Sequence, residues 1–552
     1  MAAVTVIDRA RAWIDGDPDA DDRAQLAALT DAAVHDPVAA AELADRVDTD
    51  LAFGTAGLRG PMAAGPNRMN RAVVIRATAG LAVYLTQHQV AGPVVIGHDA
   101  RWYSDVFAAD VAAVLRGANR PVLLLPPRLP TPVLAFAVRH LGAAAGVMVT
   151  ASHNPAADNG YKVYLADGAQ LAPPIDAEIA ALIAASPAAV DVPRDDGAEQ
   201  LGDEVARAYL DRAVGLLDPG ARGITVVHTA LHGVAGEVFH RAWAAAGFPD
   251  AVEVAEQAAP DPTFPTVRFP NPEEPGALDL ARARALDVEA DLVLAHDPDG
   301  DRCAVMVPVM GRSGEIVDYR RLTGDEVGVL LAEHLLYSRR IPIGGVLATT
   351  IVSSGALARL AAAAEQPCVL TPTGFKYLAR VPQLAYAYEE ALGYCVDPTA
   401  VADKDGITAA LVIAEMTAQS RDRGVRLAER LDSIAARIGA HVSVARSVPV
   451  TSPAAAAAAL DALLDSPPRT LAGDPAQAQN LLQFADLPPT MGVLLTTERV
   501  RAIVRPSGTE PKLKIYLHAV ADPPFLDLAA IRASLAALLD GAGEELQERI
   551  TG

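Results

Sequence analysis

Strand-sized apolar runs that end in polar residues alternate with helix-length stretches along this chain, and the pattern starts afresh twice. A helical stretch, Ala72–Gln89, precedes PVVIGHDA; a second, Ser104–Gly117, leads to PVLLLPP; a third, Pro132–Leu141, leads to AAAGVMVTASHNP. The rhythm restarts with ITVVHTALHG, the helix Val234–Gly247 and DLVLAHDPDGDR. It restarts again with the helix Gly324–Arg340, GGVLATTIVSS, the helix Gly355–Glu365 and PCVLTPTGFK. Such alternation implies βαβ units and largely parallel sheets. In sheets of that kind ligands gather at the carboxyl ends of the strands, which is where the tails GHDAR and TASHNP fall. The three α/β units share a grammar without letter-by-letter repetition. The last hundred residues differ: RVRAIVRPSGTEPKLKIYLHAV reads as strand, loop, strand, followed by a terminal helix, Ala529–Ile550, which makes a small α+β domain. The first forty residues read as amphipathic helix without identifiable chemistry. Joints are expected in Ala185–Gly202, near Ile316–Leu322 and near Gly439–Ser447, and the Pro/Gln-containing segment Ser466–Pro489 as a surface excursion.

Composition narrows the class. At ~100–200 residues per domain, 552 residues make three or four domains. With 51% apolar and 21% charged residues the chain is globular and not disordered. A net charge of −22 has the wrong sign for nonspecific nucleic-acid binding. Cys303, Cys368 and Cys395 form no CxxC pair, which excludes a disulfide framework and a zinc ribbon and fits a reducing cytoplasm. Asp8 and Asp15 interrupt the N-terminus where a signal peptide needs an apolar run. No stretch approaches the ~18 uninterrupted apolar residues of a spanning helix. The expectation is a large cytoplasmic enzyme that engages neither nucleic acid nor membrane.

Three motifs carry chemistry. In AHDPDGDR, Asp297, Asp299 and Asp301 alternate just past a buried-type strand. In extended backbone such side chains share one side, and three carboxylates there repel unless a cation sits among them; Mg²⁺ suits three such oxygens plus a phosphate oxygen. An EF-hand is excluded, because the places of its Gly and Glu hold Arg302 and Pro308. Arg302 beside the triad suits a dianionic phosphate. In TASHNPAADNGYKVY, Ser152 follows a strand on a polar loop; an ordinary turn reads the same way. Ser152 and His153 are no triad pair, since adjacent side chains diverge, and GxSxG is absent. What remains is a seryl oxygen that carries a phosphoryl group beside a metal, with Lys162 as a proton shuttle. RPSGTEPK offers Arg505, Ser507, Gly508 and Thr509 as a phosphate clamp. Arg59 in FGTAGLRG, Thr373, Gly374 and Lys376 in TPTGFK, Glu389 and Glu390 in YEEALGY, and Lys404 in DKDGI each lie on loops. Neither a Walker A pattern nor GxGxxG occurs.

In order, TAGLRG, TASHNP, NGYKVY, DPDGDR, TPTG, EEALG, KDG and RPSGTEP resemble the α-D-phosphohexomutase superfamily, the phosphoglucomutases and phosphomannomutases, over about residues 50–520. The resemblance implies a catalytic Ser152 that is phosphorylated, with His153 beside it. Asp297, Asp299, Asp301 and the Ser152 phosphate are the implied Mg²⁺ ligands, Arg59 and Arg302 the lining cations, and Lys162 the general acid or base. Glu389 is then the sugar-loop glutamate, and Arg505, Ser507, Gly508 and Thr509 the holder of the nonreacting phosphate. It implies three similar α/β domains plus a smaller α+β domain around a central active-site cleft, here 1–195, 196–318, 319–440 and 441–552. The implied activity is a phosphosugar mutase acting on hexose phosphates through a 1,6-bisphosphate, as a monomer or homodimer. The family's sugar loop often reads Glu-x-Ser. Here Glu389 is followed by Glu390 and Ala391, more like the phosphoglucomutase-2/phosphopentomutase branch, so a phosphopentomutase stays open. A Mg²⁺-dependent sugar-phosphate phosphatase and a non-catalytic sugar-phosphate sensor are the readings from other classes.

Overall fold

The structure, a computed structural model, describes residues 5–54, 57–484, 487–507 and 512–551. It contains two compact units, Met1–Arg320 with Thr399–Val412, and Arg321–Pro398 with Ile413–Gly552.

The first unit holds two sheets. One comprises β1 (Leu58–Pro61), β2 (Val94–His98), β3 (Val122–Leu124), β4 (Ala145–Val149), β5 (Asp158–Leu165) and β6 (Glu199–Gln200), in the order β1-β5-β4-β2-β3-β6. Strands β2, β3, β4 and β6 run parallel, whereas β5 is antiparallel to both β4 and β1. The other comprises β7 (Val226–Thr229), β8 (Val252–Glu253), β9 (Leu292–His296), β10 (Cys303–Met310) and β11 (Ile316–Arg321), in the order β11-β10-β9-β7-β8. Here β7 is parallel to β8 and β9, and β10 is antiparallel to β9. The second unit begins with β12 (Val346–Thr350), β13 (Cys368–Thr371), β14 (Leu384–Glu389) and β15 (Gly393–Cys395), ordered β13-β12-β14-β15, again parallel except for the last strand.

The runs β3-β2-β4-β5, β8-β7-β9-β10 and β13-β12-β14-β15 are one topology used three times. Central strands in these runs are buried throughout, as in sheets covered on both faces: all five residues of β4, of β9 and of β12 are buried, His296, Thr349 and Thr350 among them. Helix starts are capped as their sequences dictate. Asn70 accepts from the Val73 amide to begin Arg71–Gln87, and Thr323 with Glu326 forms a capping box for Gly324–Tyr337. In each repeat the third parallel strand turns into its antiparallel neighbour through a loop at its carboxyl end. Those loops, 150–157, 297–302 and 390–392, contain Ser152, the three aspartates and Glu390.

The C-terminal sheet is antiparallel: β16 (Ala440–Pro449), then the small pair β17 (Thr470–Leu471) and β18 (Asp474–Pro475), then β19 (Gln477–Asn480), β20 (Val493–Thr496), β21 (Val500–Pro506) and β22 (Lys512–Ala521). Its order is β16-β22-β21-β20-β19. The helix Leu528–Thr551 packs Leu535, Leu539 and Leu546 into its core with Val493, Leu495, Val504, Ile515 and Leu517. The chain is thus α/β, three similar α/β modules and a C-terminal α+β module.

Several stretches carry more structure than their composition suggests. The N-terminal region is three helices, Val6–Gly16, Ala20–Ala32 and Pro37–Val47, restarted by the caps Asp19 and Asp36. The stretch near Ile316–Leu322 is edge strand β11, and Gly439–Ser447 runs into β16. Ser466–Pro489 is not merely a surface excursion. It supplies β19 to the C-terminal sheet, and Leu471 and Leu481 are fully buried. Among the described residues no helix is long and apolar enough to cross a membrane.

Candidate active site

At the end of β4 the backbone turns at once. The Ser152 amide donates to Thr150 Oγ1 (2.8 Å), and Ser152 itself adopts φ 53°, the left-handed region that side chains other than Gly rarely occupy. This bend brings Ser152 Oγ to 3.1 Å from His153 Nδ1, so the adjacent side chains do not diverge as they would on extended backbone. Ser152 Oγ donates to Asp297 Oδ2 at 2.7 Å, and the residue is 1% exposed. Arg101, at the end of GHDAR, holds the loop from beneath. Its guanidinium donates to the carbonyls of Ser152 (2.7 Å), Asn154 (2.6 Å), Pro155 (2.7 Å) and Asp158 (3.1 Å). Asp99 Oδ2 lies 3.5 Å from Arg101 Nε, and Phe264 covers the guanidinium face at 4.8 Å.

The three aspartates converge by a turn, not by strand alternation. The Gly300 amide donates to the Asp297 carbonyl (2.9 Å) with Gly300 at φ 71°, folding 297–302 back on itself. One carboxylate oxygen from each aspartate lies within 4.8 Å of the others, and none of the three residues is more than 1% exposed. The Arg302 amide donates to Asp297 Oδ1 (3.0 Å). Thr131 donates its hydroxyl to Asp299 Oδ2 (2.6 Å) and its amide to the Asp299 carbonyl (2.8 Å).

Lys162, on β5, is fully buried and places Nζ 2.6 Å from Asp299 Oδ2 and 2.9 Å from Asp301 Oδ2. It is therefore no solvated strand-end lysine. Lys404 Nζ lies 3.3 Å from Asp301 Oδ2 and 3.2 Å from Asp403 Oδ1, and Asp403 is fixed by Tyr164 (2.8 Å) and Gln170 (2.6 Å). Arg302 sits 3.8 Å from Asp301 Oδ1 and 3.6 Å from Glu273 Oε2. Arg59, opposite Gly160 on β1, reaches Asn154 Oδ1 at 3.5 Å. All nine predicted residues that belong to the first unit, Arg59, Ser152, His153, Lys162, Asp297, Asp299, Asp301, Arg302 and Lys404, meet in this one site.

The electrostatics fit a cation. Burial, then Asp299 and Asp301, push the Asp297 carboxyl well above the carboxylate range. Burial also opposes the charge on Asp301, but Lys162, Lys404 and Arg302 overcome it and hold that carboxyl low. Three crowded carboxyls thus drive one of their number toward a proton, a role a metal ion takes over. Asp299 Oδ1 and Asp301 Oδ1 are buried without a hydrogen bond. A hard, all-oxygen donor set of this kind suits Mg²⁺. Burial, then Arg302 and Arg59, push the His153 imidazole well below its usual range, so it is neutral.

The remaining predicted residues lie in the second unit. Thr373 and Gly374 follow β13, Gly374 at φ 117° opening the short helix Phe375–Leu378 that carries the buried Lys376. Glu389 ends β14 and is buried. Glu390 Oε2 accepts from Thr350 Oγ1 (3.0 Å) and Ser353 Oγ (3.3 Å); burial, then Glu389 and Asp325, push its carboxyl up to about 7. Arg505 is on β21 of a different sheet, opposite Lys514 of β22, and Ser507 follows that strand, its amide donating to the Lys512 carbonyl (2.8 Å). Gly508 and Thr509 lie outside the described residues.

Four domain descriptions match the chain in sequence order. They are the phosphoglucomutase/phosphomannomutase alpha/beta/alpha domains I (residues 50–189), II (208–311) and III (323–437), and the C-terminal domain (448–533). The chain belongs to the phosphoglucomutase/phosphomannomutase family. It is 43% identical over 466 residues to the Haemophilus influenzae protein named "Probable phosphomannomutase", covering 83% of this chain and 94% of that protein. It is 34% identical over 553 residues to the phosphoribomutase of Saccharomyces cerevisiae, covering 87% and 88%. The crystal structure of a phosphoglucomutase/phosphomannomutase family protein from Burkholderia thailandensis shares the fold, with a TM-score of 0.68 at 21% identity over 91% of this chain and 98% of that one. This family membership makes the chain a phosphosugar mutase.

Sequence reasoning missed Arg101 and Thr131. Arg101 had a signal, since GHDAR is a polar tail at a strand's carboxyl end. Thr131 had none, because its contact with Asp299 spans 168 residues.

Proposed function

We propose that this phosphosugar mutase interconverts 1-phospho and 6-phospho hexoses, glucose and/or mannose phosphates, through phosphorylated Ser152 and a sugar 1,6-bisphosphate that also serves as activator. The observation that carries the reading is the 2.7 Å bond from Ser152 Oγ to Asp297 inside a buried carboxylate triad. A hydroxyl that donates into a buried set of three carboxylates is suited to carry a phosphoryl group beside a metal ion held by the same carboxylates. Mg²⁺ held by Asp297, Asp299, Asp301 and the Ser152 phosphate would supply neutralisation of charge on the transferring group.

In the forward step the bond from phosphorus to Ser152 Oγ breaks as one to a sugar hydroxyl oxygen forms. Lys162 carries the proton that the sugar hydroxyl gives up. Arg59 and Arg302 hold the equatorial phosphate oxygens, and Arg101 keeps Ser152 in its strained conformation. As Ser152 Oγ leaves phosphorus it takes a proton from Asp297; the bisphosphate then turns end for end and its other phosphoryl group passes to Ser152, whose proton returns to Asp297 while Lys162 gives its proton to the departing sugar oxygen. Glu389 and Glu390 accept from ring hydroxyls. Thr373, Gly374, Lys376, Lys404, Arg505, Ser507, Gly508 and Thr509 serve substrate binding, the Arg505 loop at the nonreacting phosphate. Four domains, near 1–195, 196–318, 319–440 and 441–552, support these parts. The three free cysteines suit a cytoplasmic setting, with the chain acting as a monomer or homodimer.

One observation favours a second reading. Ala391 stands where the family's sugar loop often has Ser, and the yeast relative is a phosphoribomutase, so a phosphopentomutase on ribose or deoxyribose phosphates is the alternative. A coupled assay with Mg²⁺ and a trace of glucose 1,6-bisphosphate compares glucose, mannose and ribose 1-phosphates by kcat/KM while free phosphate is monitored. Highest kcat/KM on a hexose, without phosphate release, is the expected result. Highest kcat/KM on ribose 1-phosphate selects the alternative, and phosphate release without isomerisation overturns both.

A further inference from the structure

A second cluster of metal-ligating groups lies in the first unit, outside the set described above. His228 on β7 and Glu253 on β8 are register partners in a parallel pair, so their side chains stand on one face. His240 comes from Ala235–Ala245, the helix that connects those two strands. One ligand atom from each of the three lies within 4.8 Å of the others. The cluster is built by a single β-helix-β crossover, not by chance convergence of distant loops.

Two observations separate it from an ordinary ion pair. His240 Nε2 is buried and lies 2.7 Å from Glu253 Oε1, yet it makes no hydrogen bond. At that distance the ring N–H direction must miss the oxygen. A nitrogen and a carboxylate oxygen this close with no hydrogen bond between them are within reach of one shared ion. The other observation is the state of His228. Its Nε2 is hydrogen-bonded to His296 Nδ1 at 2.9 Å, which leaves Nδ1 as the ring nitrogen outside that bond. With Nε2–H donating to His296, Nδ1 is a lone pair; a histidine whose second nitrogen is anchored in this way is the usual form of a metal-ligating imidazole. Phe239 stacks on the His228 ring at 3.9 Å and fixes its plane. Burial, with His296 and His240 adding, holds this imidazole neutral, as a ligand must be. Entry is open from the other side, where the His240 and Glu253 side chains are 29% and 47% exposed.

We propose that His228, His240 and Glu253 form a binding site for a divalent transition metal of the zinc class, distinct from the Mg²⁺ triad. Two imidazole nitrogens and one carboxylate oxygen are the donors such ions prefer over Mg²⁺. The fourth position is left for water. His296, which anchors His228, immediately precedes Asp297, so an ion there braces the strand that presents the aspartate loop.

The test uses the full-length, untagged protein in excess Mg²⁺, which keeps the aspartate site filled. Co²⁺ is titrated as an optical probe and Zn²⁺ is then added as competitor. One equivalent of Co²⁺ with the intense visible bands of a low-coordinate, nitrogen-containing site, displaced by Zn²⁺, is expected. His240→Ala and Glu253→Gln should each weaken Co²⁺ binding by ~10-fold or more, with Mg²⁺-supported mutase activity retained, and Asp299→Asn should keep the bands. Absence of saturable Co²⁺ binding to the wild-type protein overturns the proposal. So does binding that is unchanged in both His240→Ala and Glu253→Gln, or binding that disappears in Asp299→Asn instead. None of these outcomes depends on which sugar phosphate the enzyme turns over.

Discussion

Ser152 sits at φ 53° with its carbonyl gripped by Arg101, and this pairing is what presents Oγ to Asp297. Four carbonyls accept from one planar guanidinium, a geometry that an ammonium cannot reproduce. Arg101→Lys is therefore expected to lower kcat by about 100-fold through displacement of the nucleophile, with KM little changed; a rise in KM at constant kcat would contradict the clamp. Glu390 gives a pH prediction. Its carboxyl is pushed up to about 7 in the fold, against about 4.3 in the unfolded chain. The folded protein thus keeps a proton that the unfolded chain has lost. The stability this provides is complete below about pH 4.3 and is lost as pH rises through about 7. Thermal melts from pH 5 to 8 should show the wild-type Tm falling relative to that of Glu390→Gln, and parallel Tm profiles would contradict the assignment. The aspartate triad was legible in DPDGDR from residue type and spacing, although the reason was a turn at Gly300 and not strand alternation. Arg101 was marked only by its place in the polar tail GHDAR, and the backbone carbonyls that it bonds leave no pattern in the residues it holds.

The working elements are hairpin loops at the carboxyl ends of the third parallel strands, and the aspartate loop is packed backbone against backbone on the loop that follows β7. A Cβ on Gly233, just after β7, would lie 2.2 Å from Pro298 Cα in the aspartate loop. Backbone cannot yield as a side-chain tip can. Gly233→Ala should therefore cost about 2 kcal/mol or more of stability and weaken Mg²⁺ affinity, measured by denaturant melts and metal titration; wild-type values for both would contradict this packing argument. Most helices follow their sequence spans closely, Ser104–Gly117 to the residue, because caps and apolar periodicity are local signals. Two features of the sheets were not legible. The last strand of each module turns back antiparallel, which the apolar content of β5 and β10 does not distinguish from a parallel strand. The residues of Ser466–Pro489 look like loop because β19, QAQN, is a polar edge strand whose place is fixed by pairing with β20.

At the scale of the molecule, three modules of one topology place different chemistry at the same structural position: a serine, a trio of aspartates, a pair of glutamates. The sequence shows the shared grammar but no repeat, since topology constrains which positions are apolar and not which apolar residue fills them. Family membership and the first-unit site agree on phosphoryl transfer, and the central claim is that Ser152 carries the group in transit. The direct test is to load the protein with 1,6-bisphosphate labelled in its phosphate and locate the label by peptide mapping. Unlabelled glucose 1-phosphate is then added and the label is followed in a rapid chase. The account predicts label on Ser152, none in Ser152→Ala, and transfer to sugar bisphosphate at least as fast as turnover. Label elsewhere, or label that leaves Ser152 as free phosphate, would contradict it.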